Sequence, residues 1–242
     1  MSGSDRDLAL HIEITGDGTP VVFTHGWLNT GEVWSGVVAE LGAAAGSAPA
    51  SVRAATWDLR GHGRSGVAPT GQYGRDYALA DLSRVIEAVG RPAILVGHSL
   101  GGYLSLAHAI LSPADVSGLV LVAAGPGFRS DDSRNQWNAN VREMAAARDD
   151  VPDGQVEITE HVDAVVIDRL AEISVPVITL VGERDKRFLA SADVFDKHLD
   201  VRQRLTVPGA GHMLHAKQPA VVAGAVTSMA DIVAGGDGDA TG

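Results

Sequence analysis

Apolar and polar positions along the chain switch repeatedly between two periods. In residues 8–14 the apolar side chains Leu8, Leu10, Ile12 and Ile14 recur at every second position, as in a half-covered strand. Gly16-Asp17-Gly18 supplies a turn, and the short apolar run 21–24 predicts a buried strand. Residues 33–45 predict a helix, followed by a loop of Gly, Ala, Ser and Pro, and 52–57 predict a further strand. Over 77–89, Leu79, Leu82, Val85, Ile86 and Val89 return at helical spacing, with Gly90 just past the end. The run Ala93-Ile94-Leu95-Val96 predicts a strand, 103–111 a helix, and the unbroken apolar stretch 116–124 a strand covered on both faces.

Between Phe128 and Ile173 the rhythm breaks, and Asp, Arg, Asn and Glu become frequent. Residues 135–148 and 162–173 predict two helices there, separated by the loop Val151-Pro152-Asp153-Gly154. Alternation resumes with a strand at 175–181, a helix at 192–199, a strand at 204–207 and a helix at 219–233. The Gly- and Asp-rich residues 235–242 read as a disordered tail. Strands separated by helices predict an α/β fold, a mostly parallel sheet of about seven strands with helices on both faces. The chain divides into core residues 1–128, a short cap insertion at 129–172 and a returning core at 173–234.

A length of 242 residues with 45% hydrophobic content fits one such unit. A net charge of −11 argues against nucleic acid and anionic membranes as partners, because both would repel an acidic surface. There is no cysteine, hence no disulfide or thiolate metal site, and the nine histidines show no ligand spacing. Neither a metal nor another cofactor is expected. The first residues carry no apolar segment of the secretory type, and no run of 18 apolar residues occurs. The expected location is cytoplasmic and the expected partner a small molecule.

Candidate chemistry clusters where predicted strands end, which is where open parallel sheets gather their sites. The strand at 93–96 runs into Gly97-His98-Ser99-Leu100-Gly101-Gly102 and leaves as a helix. A Gly-x-Ser-x-Gly turn between strand and helix presents a strained serine above the sheet as a nucleophile. Composition alone would supply that motif about 0.2 times in this chain, so Ser99 needs partners. A serine hydroxyl requires a base. His212, in Gly209-Ala210-Gly211-His212, follows the last predicted strand, and His215 is the lower-ranked alternative. A buried carboxylate should orient the imidazole. Asp185 is best placed, with Asp131 and Asp132, and then Glu183 and Asp58, behind it. The Leu100 N–H, next to the nucleophile, would be one donor to an oxyanion.

With His25-Gly26-Trp27, Asp58-Leu59-Arg60-Gly61-His62-Gly63-Arg64-Ser65 and Gly182-Glu183-Arg184-Asp185 in order around these motifs, the chain resembles the α/β-hydrolase family. The resemblance is to its serine esterase and haloperoxidase-like (perhydrolase) branch, and it covers nearly the whole sequence. It implies the order Ser, acid, His and a second oxyanion donor in the Trp27 N–H. It also implies a serine hydrolase that cleaves a carboxylic ester or lactone through an acyl-enzyme. Alternatives that use the same residues are C–C bond hydrolysis, perhydrolysis and a lyase reaction; a ligand sensor that binds a protein partner is the alternative from another class. Two departures stand out. The family's usual first strand is expected to be missing or vestigial ahead of 8–14, and the cap, about 45 residues, is short. A short cap predicts an open pocket with His98, Phe128, Trp137, Val141 and Met144 as candidate lining residues, although at least half of the cap side chains are expected to pack on the body instead. His25 and Arg60-Gly61-His62-Gly63 are expected to order loops, not to do chemistry.

Overall fold

A computed structural model describes residues 8–44 and 51–236. Seven strands form one sheet: β1 (Ile12–Thr15), β2 (Thr19–Thr24), β3 (Val52–Trp57), β4 (Ala93–His98), β5 (Val116–Val122), β6 (Val177–Gly182) and β7 (Val201–Val207). Their spatial order is β1-β3-β2-β4-β5-β6-β7. Only β1 runs antiparallel to its neighbour. The helices are α1 (Ser35–Ala44), α2 (Arg75–Val89), α3 (Leu100–Leu111), α4 (Asp131–Ala146), α5 (Val165–Asp168), α6 (Lys186–His198), α7 (Leu214–Lys217) and α8 (Pro219–Gly236).

The unbroken apolar strands are covered on both faces, and their period of two sorts side chains between two cores. Ala93 and Leu95 of β4 and Leu119 and Leu121 of β5 join the core under α2, α3 and α6. Ile94, Val96, Val120 and Val122 point the other way, to Trp34, Val37, Val226 and Met229 beneath α1 and α8. This is the doubly covered, mostly parallel sheet that the alternation of periods predicts.

Several boundaries differ from the expected ones. β1 begins at Ile12, not at residue 8, because the preceding backbone bonds to a loop instead of a strand. Asp58 N–H donates to His11 C=O (3.0 Å), Gly66 N–H to Ala9 C=O (2.8 Å), and His11 N–H to Ser65 Oγ (2.9 Å). Residues 162–173 are not one helix. Val166, Leu170 and Ile173 are buried as the pattern requires. The backbone, however, changes from Arg169 N–H on Val165 C=O to the tighter Ile173 N–H on Leu170 C=O, so α5 ends and a 3-10 turn follows. β7 starts three residues early, as the exposed residues of this edge strand, Arg202, Gln203 and Arg204, hide its periodicity. Likewise α6 begins at Lys186 instead of 192. α8 takes in Gly235 and Gly236, which were expected in the tail; the remainder of that tail, like Ala45 of the first predicted helix, lies outside the described residues. No helix among the described residues is long and apolar enough to cross a membrane.

The segment between β5 and β6 carries α4 and α5 and is fastened to the body by polar contacts. Gln155 is buried and bridges two loops: its Oε1 accepts from the Trp27 indole N–H (3.1 Å), and its Nε2 donates to Gly61 C=O (2.6 Å). The Glu157 carboxylate accepts from the N–H groups of Gly71 and Tyr73. Arg75, at the start of α2, makes a two-pronged pair with Asp163 at 2.7 and 2.9 Å.

Candidate active site

β4 ends at His98 and α3 begins at Leu100, so the whole change of direction falls on Ser99. Its φ of 51° and ψ of −112° lie in a region that side chains rarely occupy. The turn is held by Ser99 N–H donating to Val122 C=O (3.0 Å). α3 can start this close to the end of β2 because residue 101 is glycine: a Cβ there would run into the Thr24 carbonyl.

Two further loops meet this turn. Asp185 follows β6, is 8% exposed, and accepts a hydrogen bond from His212 Nδ1 at 2.7 Å. The loops are pressed together at Gly182, where a Cβ would come within 2.5 Å of the Ala210 and Gly211 carbonyl oxygens. Arg184 N–H donates to Ala210 C=O (2.9 Å). Phe188 stacks on the His212 ring at 4.9 Å and 18°. Ser99 and His212 line one cavity, although no hydrogen bond joins them directly. Such contacts are often long before substrate arrives.

The other carboxylates are engaged elsewhere. Asp58 accepts from the N–H groups of Gly31 (2.7 Å) and Arg64 (2.8 Å). Glu183 accepts from Gly209 N–H (2.8 Å), which closes the loop that carries His212. Asp131 and Asp132 are exposed in the first turn of α4, and Asp131 pairs with Arg134. His215 is buried among aromatic rings and touches no carboxylate.

The loop after β2 is shaped by two neutral histidines. His25 Nδ1–H donates to Gly26 C=O (2.8 Å), and its Nε2 accepts from Leu59 N–H (3.0 Å). His62 Nδ1–H donates to Arg60 C=O (3.0 Å), and its Nε2 accepts from Leu28 N–H (3.3 Å). Burial, reinforced by the neighbouring His62, lowers the pKa of His25 to about 3. Burial likewise lowers that of His62. Each ring therefore keeps the single proton these contacts need. Trp27 and Ser99 line the same cavity, and the backbone N–H groups of Trp27 and Leu100 donate to no other group among the described residues.

The cavity measures about 340 Å³ and lies between the sheet and α4. His98, Phe128, Trp137, Val141 and Met144 all border it, so the cap side chains expected to pack on the body face the cavity as well. Sequence reasoning missed Tyr103, His161, Arg187 and Phe188 as further walls. Tyr103 sits on an apolar helical face that looks like core. Arg187 and Phe188 lie two and three residues after Asp185, a proximity that could have drawn attention to them. His161 packs edge-on against Tyr103 (4.5 Å) and Phe128 (5.2 Å), and its burial lowers its pKa to about 4.

Residues 21–225 match the sequence profile of the alpha/beta hydrolase family, and the chain belongs to that family. It is 37% identical over 125 residues to a pimeloyl-[acyl-carrier protein] methyl ester esterase of Nitrosomonas europaea, covering 50% of this chain and 43% of that protein. A protein of the same description from Methylococcus capsulatus is 37% identical over 122 residues, 50% of this chain and 43% of that one. The chain thus spans less than half the length of these curated relatives. Among solved structures it is similar to an esterase from Exiguobacterium antarcticum, with a TM-score of 0.77 and 19% identity over 93% of this chain and 96% of the other. It is also similar to MenH from S. aureus, with a TM-score of 0.78 and 18% identity over 93% and 99%. At these identities the structures speak for the fold.

Proposed function

We propose that the protein is a serine hydrolase that cleaves a carboxylic ester through an acyl-enzyme. The observation that carries this is the 2.7 Å contact between His212 Nδ1 and Asp185, on loops packed against the strained Ser99 turn. Asp185 holds the imidazole in the tautomer whose Nε2 is free to accept the Ser99 proton. Ser99 Oγ then attacks the ester carbonyl. The Trp27 and Leu100 N–H groups receive the developing negative oxygen, a donation worth about 3–4 kcal/mol per donor. His212 returns the proton to the departing alcohol. Water repeats the cycle on the acyl-enzyme and regenerates Ser99.

Because the relatives named above are methyl ester esterases, methyl esters of carboxylic acids are the first substrates to try. Lactones, diketones and peracid formation complete the panel. The direct test is a fluorophosphonate probe followed by peptide mass spectrometry: an adduct on Ser99 supports the reading, and a folded protein that resists the probe refutes it.

The cavity also suggests a preference. In a chain with 30 acidic and 19 basic residues, its described lining holds no carboxylate and one cation, Arg187, whose guanidinium lies over the Trp137 ring at 5.5 Å. An ester with a carboxylate distal to the scissile bond would find its counter-charge there. Arg187→Gln should raise KM for a dicarboxylic acid monomethyl ester roughly threefold to fivefold, the upper range of one exposed ion pair. A neutral ester of equal length should change less than twofold, and equal effects on both would count against the idea.

A further inference from the structure

Two buried histidines beside the base loop play no part in the described mechanism. His98 is 1% exposed and His215 is 0% exposed. Their rings lie 4.0 Å apart and tilted by 37°, with the Trp34 ring tilted against His215 at 4.6 Å and His212 beside His98 at 4.6 Å. His98 Nε2 is 3.0 Å from the backbone carbonyl oxygen of His212. A carbonyl only accepts, so Nε2 carries the proton and Nδ1 is bare. That Nδ1 has no partner and faces Gly26, where an added Cβ would lie 2.7 Å away. Neither nitrogen of His215 has a partner.

Such an arrangement is costly. A buried polar atom left without a partner has lost its contact with water and gained nothing in exchange, and apolar side chains would fill the same space without that loss. The arrangement does, however, tie the residue next to Ser99 to the main chain of His212. We propose that His98, braced by His215, is a positioning residue that fixes the base loop against the nucleophile turn, and that it does not read the substrate. This rests on the Ser99–His212 reading above. Burial, with the neighbouring histidines, holds His98 well below the ordinary histidine range, and burial holds His215 at about 4. Both rings are therefore neutral at working pH, and no charge beneath His212 opposes the imidazolium that forms during turnover.

A positioning role and a substrate contact separate in the kinetics. His98→Leu removes the donor at similar bulk. It should lower kcat, and the rate of fluorophosphonate labelling, by about 10- to 100-fold, with KM within twofold. His98→Gln places an amide N–H near the position of Nε2 and should restore most of that loss. His215→Phe keeps the ring contacts with His98 and Trp34 and should stay near wild-type, whereas His215→Ala should resemble His98→Leu. An unchanged kcat in His98→Leu, a change confined to KM, or a Gln variant as impaired as the Leu one would overturn the proposal.

A measurement on the unaltered protein guards against variants that fail to fold. In nitrogen-15 histidine spectra at pH 7, His98 should appear as the neutral Nε2–H tautomer with a slowly exchanging proton. The Nδ1–H tautomer would refute the bridge. If the unaltered protein is not labelled at Ser99, the hydrolase reading fails, and the tautomer alone decides the bridge.

Discussion

Ser99→Ala should lower kcat/KM on any ester the protein turns over by about a millionfold, ~8 kcal/mol of transition-state stabilisation, and abolish fluorophosphonate labelling. The size follows from the chemistry: without Oγ no acyl-enzyme forms, and the remaining donors can only polarise a carbonyl towards free water. The fold should survive, because the turn depends on the Ser99 N–H bond to Val122 and on the close approach at Gly101, and neither involves the hydroxyl. Asp185→Asn should cost about ten-thousandfold, since an amide can present its N–H to His212 and favour the wrong tautomer. Steady-state kinetics with a chromogenic ester, alongside unchanged circular dichroism, tests both. A Ser99→Ala protein that retains even one per cent of wild-type turnover would remove Ser99 from the mechanism.

Acid should destabilise the fold steeply. His25 is held at a pKa of about 3, chiefly by burial, and His161 and His215 at about 4 for the same reason. In the unfolded chain all three return to about 6.5. Above that pH neither state is protonated at these sites, and they add no pH dependence. Below it the unfolded chain takes up protons that the folded one refuses, so stability falls as pH drops from about 6.5 towards 4, and for His25 towards 3. With all three engaged the slope approaches ~4 kcal/mol per pH unit. Urea midpoints should therefore be level from pH 7 to 8 and drop sharply between pH 6 and 5. A flat profile across pH 7 to 5 would mean that these rings are hydrated or charged in the folded protein.

The α/β architecture was legible because β4 and β5 are unbroken apolar runs, which only a sheet covered on both faces can use. The sharp turn at Ser99 was legible through its glycines, whose absent side chains leave a mark in the sequence wherever backbones must touch. The ranking of Asp185 above Asp58, Glu183 and the Asp131–Asp132 pair came from where strands end; in the structure Asp185 touches His212, Asp58 and Glu183 accept from backbone N–H groups, and Asp131 pairs with Arg134. Less visible was anything that depended on polar loop contacts. The region 162–173 has a helical pattern, yet its hydrogen bonding tightens after Asp168, which periodicity cannot register. β7 was cut short because an edge strand exposes charge and loses its alternation.

By itself, then, the sequence determined the layered sheet, the sharp turn at Ser99 and the order of the candidate acid and base. These are written in local pattern and in residues whose chemistry or missing side chain is tied to one position. Tertiary structure alone decided that α4 turns Trp137, Val141 and Met144 into a cavity with Arg187 as the lone cation among its described lining residues, and that His98 reaches the His212 backbone. Those outcomes depend on which surfaces meet when residues more than a hundred positions apart in some pairs, such as His98 and His212, are packed together. Spacing along a chain carries no record of such meetings.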